Sequence, residues 1–97
     1  MDITIKSLIT DCSTQESGEK IKNMILLGFN NKELVVISFD KIIAVSTSFI
    51  NTAFIDLLNE YSYEYLKANL KIIKANNSIR NLITRRFRKE LNMDLPL

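Results

Sequence analysis

The chain has no histidine among its 97 residues. That absence removes the imidazole on which Ser-His-Asp and Cys-His nucleophile systems depend. A single cysteine, Cys12, supplies too few ligands for an ordinary zinc site and excludes an internal disulfide, which suggests a reducing compartment. Only two glycines occur, Gly18 and Gly28, so neither a G-x-G-x-x-G turn nor a phosphate-binding P-loop can be written. There is no run of 18 or more apolar residues, hence no expected transmembrane helix. The opening "MDITIKSLIT" lacks a basic segment followed by a long apolar one, unlike a signal peptide. An enzyme working through carboxylates alone is left, but no spacing points to one. The expectation is a cytoplasmic protein that is not an enzyme and takes no cofactor or metal.

What is present is globular in kind: 46% hydrophobic and 25% charged residues, enough for one small core. Net charge is +2, unevenly spread. Residues 1–60 hold 5 Lys/Arg against 8 Asp/Glu, whereas residues 61–97 hold 8 against 3. A basic second part can mark an anion-facing end, although most such runs are solvated faces.

Hydrophobic spacing divides the chain into alternating elements. "DITIKSLI" at 2–9 reads as an opening strand and "TDCSTQES" at 10–17 as a loop. A helix is expected over 18–27, capped by Ser17 and ended by Gly28. "ELVVISF" at 33–39 is the clearest strand; apolar on both sides, it should be central and covered on two faces. From Phe49 the period becomes helical, with Phe49, Ala53, Leu57 and Tyr61 in one row and Ile50, Phe54 and Leu58 in the next. "YSYEYLKAN" at 61–69 extends that helix or forms a loop. "LKIIK" at 70–74 is a strand, and Asn77 or Ser78 can cap a last helix packed through Ile79, Leu82, Ile83 and Phe87. The alternation predicts an α/β fold: a small mixed β-sheet of three to four strands, parallel where helices cross over, with about three helices mainly on one face. The fourth strand would lie within 8–13. Residues 1–92 make one domain, and 93–97, containing Pro96, form a C-terminal tail.

The densest polar chemistry lies in "FDKIIAVSTSFINTAF", residues 39–54, where a strand gives way to a helix through Ser46, Thr47 and Ser48. One cap needs one hydroxyl, so any of the three can cap the helix while the others face water. The same helix start also accommodates an added anion. A phosphate there would bring close to two negative charges.

The stretch "ELVVISFDKIIAVSTSFINTAFIDLL" resembles the STAS domain, the sulfate-transporter and anti-sigma-factor-antagonist module. It resembles more closely the short bacterial STAS-like domains of unassigned function. Those carry a hydrophobic strand, an aspartate soon after it, an S-x-S-F junction and an apolar helix; here these are Asp40 and Ser46-Thr47-Ser48-Phe49. "SGEKIKNMI" upstream and "LKIIKANNSIRNLITRRF" downstream fit the flanking elements, so the likeness covers about residues 15–90. In anti-sigma-factor antagonists the junction reads D-S-S-G, and its second serine is phosphorylated by a partner kinase. By position Ser48 matches that serine, Thr47 the first serine and Ser46 the aspartate. The aspartate is lost, and bulky Phe49 stands where the family has glycine. That ring either anchors the helix in the core or obstructs a kinase.

The resemblance implies a regulatory protein-interaction module in signalling. Its partner would be a GHKL-type ATP-binding kinase or another bacterial regulator. Contact would run through Ser46, Thr47, Ser48 and Asn51, with Ser48 as the phosphosite. An alternative from the residues alone is nucleic-acid binding by "RNLITRRFRK" at 80–89, through Arg80, Arg85, Arg88 and Lys89. Against it, Leu82, Ile83 and Phe87 claim one face for packing, and no aromatic is obviously free to stack on bases. A third reading is self-association through the clustered Tyr61, Tyr63 and Tyr65.

Overall fold

The computed structural model describes residues 1–92. Residues 93–97, read from the sequence as a tail, lie outside the described residues. The order is β1 (Asp2–Thr4), α1 (Ile5–Leu8), α2 (Gln15–Asn30), β2 (Val35–Ser38), α3 (Thr47–Ala53), a 3₁₀ helix (Ile55–Asn59), α4 (Tyr63–Asn69), β3 (Leu70–Ile73) and α5 (Asn77–Leu91).

The three strands pair in the order β1-β2-β3, and both pairings are parallel, with Ile3 opposite Ile37 and Ile37 opposite Ile72. Consecutive parallel neighbours joined by crossovers of one hand place their helices on one side. Side-chain burial agrees. Ile3, Val35 and Ile37 are fully buried, while Asp2, Thr4 and Lys71 on the opposite face are exposed and Val36 and Ser38 half-buried. Strand 35–38 is therefore central, as its composition requires, but only one of its faces is covered by helices. No antiparallel or fourth strand occurs among the described residues.

The opening strand is shorter than its alternation suggests. Ile5 and Ile9 are both buried, four residues apart, and that spacing suits the short α1 turn rather than a continued strand. Helix α2 begins at Gln15 because Thr14, not Ser17, supplies the cap: Thr14 Oγ1 accepts from the Ser17 N–H at 3.0 Å. Gly28 does not end this helix. Both glycines lie on the buried face of α2, with Ile21, Ile25 and Phe29. A Cβ on Gly18 would come within 2.9 Å of the Phe49 carbonyl oxygen, and one on Gly28 within 2.5 Å of Val35 Cγ2. Their role is close approach to α3 and to β2. The left-handed residue that turns the chain after α2 is Lys32, φ 58°.

The helix expected over 49–61 stops at Ala53. Thr52, Ala53, Phe54, Ile55 and Leu57 are all buried, which a straight helix on one surface cannot achieve. The 3₁₀ segment re-aims the chain. Residues 63–69 then form a separate helix, α4, with Ser62 Oγ accepting from the Tyr65 N–H at 3.1 Å. The last helix is capped by Asn76 rather than the expected Asn77 or Ser78; its Oδ1 accepts from the Ile79 N–H at 2.9 Å. No helix among the described residues is long and apolar enough to cross a membrane. The core joins all layers through Phe39, Phe49 and Phe54, with Ile3, Ile21, Ile25, Ile37 and Ile79 around them.

Candidate functional site

In an open parallel sheet the carboxyl ends of the strands form the rim where loops gather and ligands or partners commonly bind. Here β2 ends at Ser38, and residues 39–46 lead along that rim to the start of α3. Two left-handed lysines shape it: Lys41 (φ 65°) after β2 and Lys74 (φ 57°) after β3. Ser38 Oγ accepts from the Asp40 backbone N–H at 3.2 Å, a turn made by the serine side chain that tightens the exit of β2.

The three hydroxyls divide. Ser46 is the cap, its Oγ accepting from the Phe49 N–H at 3.0 Å while its own N–H donates to the Cys12 carbonyl at 3.0 Å. Thr47 and Ser48, in the first turn of α3, are exposed. Phe49 is fully buried, so its ring points into the core, not toward an approaching protein. Asn51 is half-buried and already engaged: its Oδ1 accepts from Arg86 Nε at 2.6 Å, tying α3 to α5. The structure thus groups Ser46, Thr47 and Ser48 and sets Asn51 on the side facing α5.

One prominent rim residue was not singled out in the sequence. Ile43 is 84% exposed, the most exposed large apolar side chain among the described residues. Its carbonyl accepts from Asn76 Nδ2 at 2.9 Å, which pins the loop to the start of α5. Its neighbour Ala44 is exposed as well. The signal was present as "DKIIAV", where two isoleucines sit side by side and a half-buried strand would hide only one.

Behind the rim lies Cys12, a buried free thiol. Burial, and next the negative charge of Asp11, push its pKa up, so it is a poor nucleophile.

The basic run separates into different surroundings. Arg80 turns to the backbone, donating through Nε to Ala75 O at 3.1 Å and reaching Ile72 O at 3.4 Å on β3. Arg86 lies between Asn51 and Glu90, the latter at 3.7 Å. Arg85 and Lys89 are exposed, and Arg85 and Arg88 flank a shallow polar furrow with Ser78, Asn81 and Thr84. The tyrosines divide too. Tyr61 and Tyr65 stack at 4.7 Å between ring centroids and both meet Phe29 edge-on, whereas Tyr63 packs against Phe87 at 5.6 Å.

No curated protein and no solved structure matches the chain. A family model does match: residues 17–80 fit the STAS-like domain of unknown function (DUF4325). That span runs from the start of α2 to the start of α5 and includes β2, the rim and the hydroxyl junction. With about two thirds of its length matched, the chain belongs to this family of STAS-like domains.

Proposed function

We propose that this domain is a non-enzymatic regulatory module of the cytoplasm that docks a partner protein through the rim at residues 39–48. The observation that carries the reading is the division of labour at the junction. Ser46 caps α3, while Thr47 and Ser48 stay exposed on the same rim as Ile43. Exposed hydroxyls near a protruding apolar side chain are what a specific protein contact uses: an anchor for burial, with polar groups to fix register. The partner suggested by the resemblance is a GHKL-type ATP-binding kinase or a related bacterial regulator.

Phosphorylation of Ser48 is the proposed switch. A phosphate would add close to two negative charges on the solvent side of α3, while the adjacent Phe49 keeps the helix anchored. The modification would alter docking without disturbing the core. Mass spectrometry of the protein from its own cell, with partner binding by Ser48→Asp, tests this. A phosphate on Ser48 and a changed affinity are expected; an unmodified Ser48 with unchanged affinity removes the switch.

The alternative, nucleic-acid binding by α5, draws on Arg85, Lys89 and the furrow beside Arg88. It has less support, because Arg80 and Arg86 already have partners within the fold. A gel shift at low salt, abolished by Arg85→Ala with Lys89→Ala, would favour it over the protein-docking reading.

A further inference from the structure

A second, separate feature lies beside the edge strand β3. Helices α4 and α5 do not close over β3, whose Leu70 and Ile72 remain half-buried. Between them runs a groove of about 200 Å³, lined mainly by Leu66, Leu70, Ile72, Ile83, Phe87 and Leu91. Its polar wall is Arg88, with Lys67 at the α4 side. Arg88 Nε is buried, and among the described residues it finds no hydrogen-bond partner. A buried donor on a charged group costs free energy until an acceptor reaches it. The Lys67 ammonium, 5.5 Å from the centre of the Tyr63 ring, adds a second positive charge from α4.

We infer that this groove is a binding site for a medium-chain aliphatic carboxylate. The carboxylate pairs with the Arg88 guanidinium, which lines the groove, and the alkyl chain lies against Leu66, Leu70, Ile83 and Phe87. Size argues for a small occupant, since pockets for drug-sized molecules run to about 300–1,000 Å³. Charge argues for an anion, because Lys67 and Arg88 are cations and no carboxylate lines the walls. The aliphatic lining argues for a hydrocarbon chain rather than a sugar or a nucleotide, which would leave polar groups unpaired. The site is independent of the rim and of the partner proposed there.

The test is a titration of the isotope-labelled full chain with decanoate, followed by amide chemical shifts. Decanol and acetate serve as matched probes lacking the charge or the chain. Decanoate is expected to shift Leu66, Leu70, Ile83, Phe87 and Leu91 saturably, while acetate leaves them unmoved and decanol binds roughly tenfold more weakly or worse. Arg88→Met keeps the unbranched stem and removes the donor; it should weaken decanoate by about the same factor at an unchanged circular dichroism spectrum. Absence of saturable shifts at these residues overturns the inference. Equal binding of decanol and decanoate does so as well, as does a groove found closed by a second copy of the chain in sedimentation at the same concentration.

Discussion

The rim at residues 39–48 and the helix α5 both offer a cluster of polar side chains, three hydroxyls in one and five cations in the other. Folding treats them differently. At the rim a single hydroxyl, Ser46, is taken by a structural bond, and Thr47 and Ser48 remain exposed. Along α5, Arg80 is bound to the backbone of Ala75 and Ile72, Arg86 to Asn51, and the Nε of Arg88 is buried. A count of like residues in a sequence is therefore not a count of groups offered to a partner. Hydroxyls at a helix start have one orphan donor within easy reach. Arginines beside a sheet edge find several backbone carbonyls.

Cutting the rim's anchor should have the largest effect. Phe49→Ala removes a fully buried ring that holds α3, and a loss of about 3–5 kcal/mol is expected in urea unfolding. Gly18→Val comes next. Its side chain meets the Phe49 carbonyl and Thr52 Cβ, both at 2.9 Å from the Cβ position, and backbone there cannot yield cheaply. A cost of about 1–3 kcal/mol is expected by the same measurement, larger than for any exposed α2 position. Asn51→Ala breaks the side-chain hydrogen bond from Arg86 that ties α3 to α5 and strands a half-buried guanidinium donor, at about 1–2 kcal/mol. Arg85→Ala, on the outward face of α5, should stay within about 0.5 kcal/mol of the parent.

The smallest effect concerns Cys12, whose carbonyl receives the Ser46 N–H. Its thiol is held above the ordinary value of 9.0 by burial and by Asp11. The unfolded chain therefore releases this proton first. The stabilising contribution is intact below that ordinary value and is lost as pH rises through the folded one. Alkylation by iodoacetamide should be slower in the native chain than in urea, and unfolding midpoints should fall slightly on going to strongly alkaline pH.

Which parts of this were legible in the sequence follows from the range of the forces involved. The strand at 33–39 and the helices begun near 15, 47 and 77 were readable because periodicity is local. The break after Ala53 was not: Phe54 suits a continued helical stripe, and only layers distant in sequence bury Ile55 as well. Gly28 shows the same limit. Glycine signals a helix end when only local conformation counts, yet here the side chain is missing because Val35 of β2 occupies its space. At the junction the sequence showed that one hydroxyl would cap, but which one depends on where the first turn starts. Ile43 was hidden for a related reason, since exposure of an apolar residue is decided by what fails to cover it.

The most direct measurement is a side-by-side binding assay against the partner protein that co-purifies with this chain from its own cell. Three proteins are compared: the parent, Ile43→Asp, and the double variant Arg85→Ala with Lys89→Ala. Ile43→Asp is expected to lose at least tenfold in affinity with its unfolding midpoint unchanged, while the double variant binds as the parent does. Full affinity in Ile43→Asp together with lost affinity in the double variant would contradict docking at the rim and move the interaction to α5.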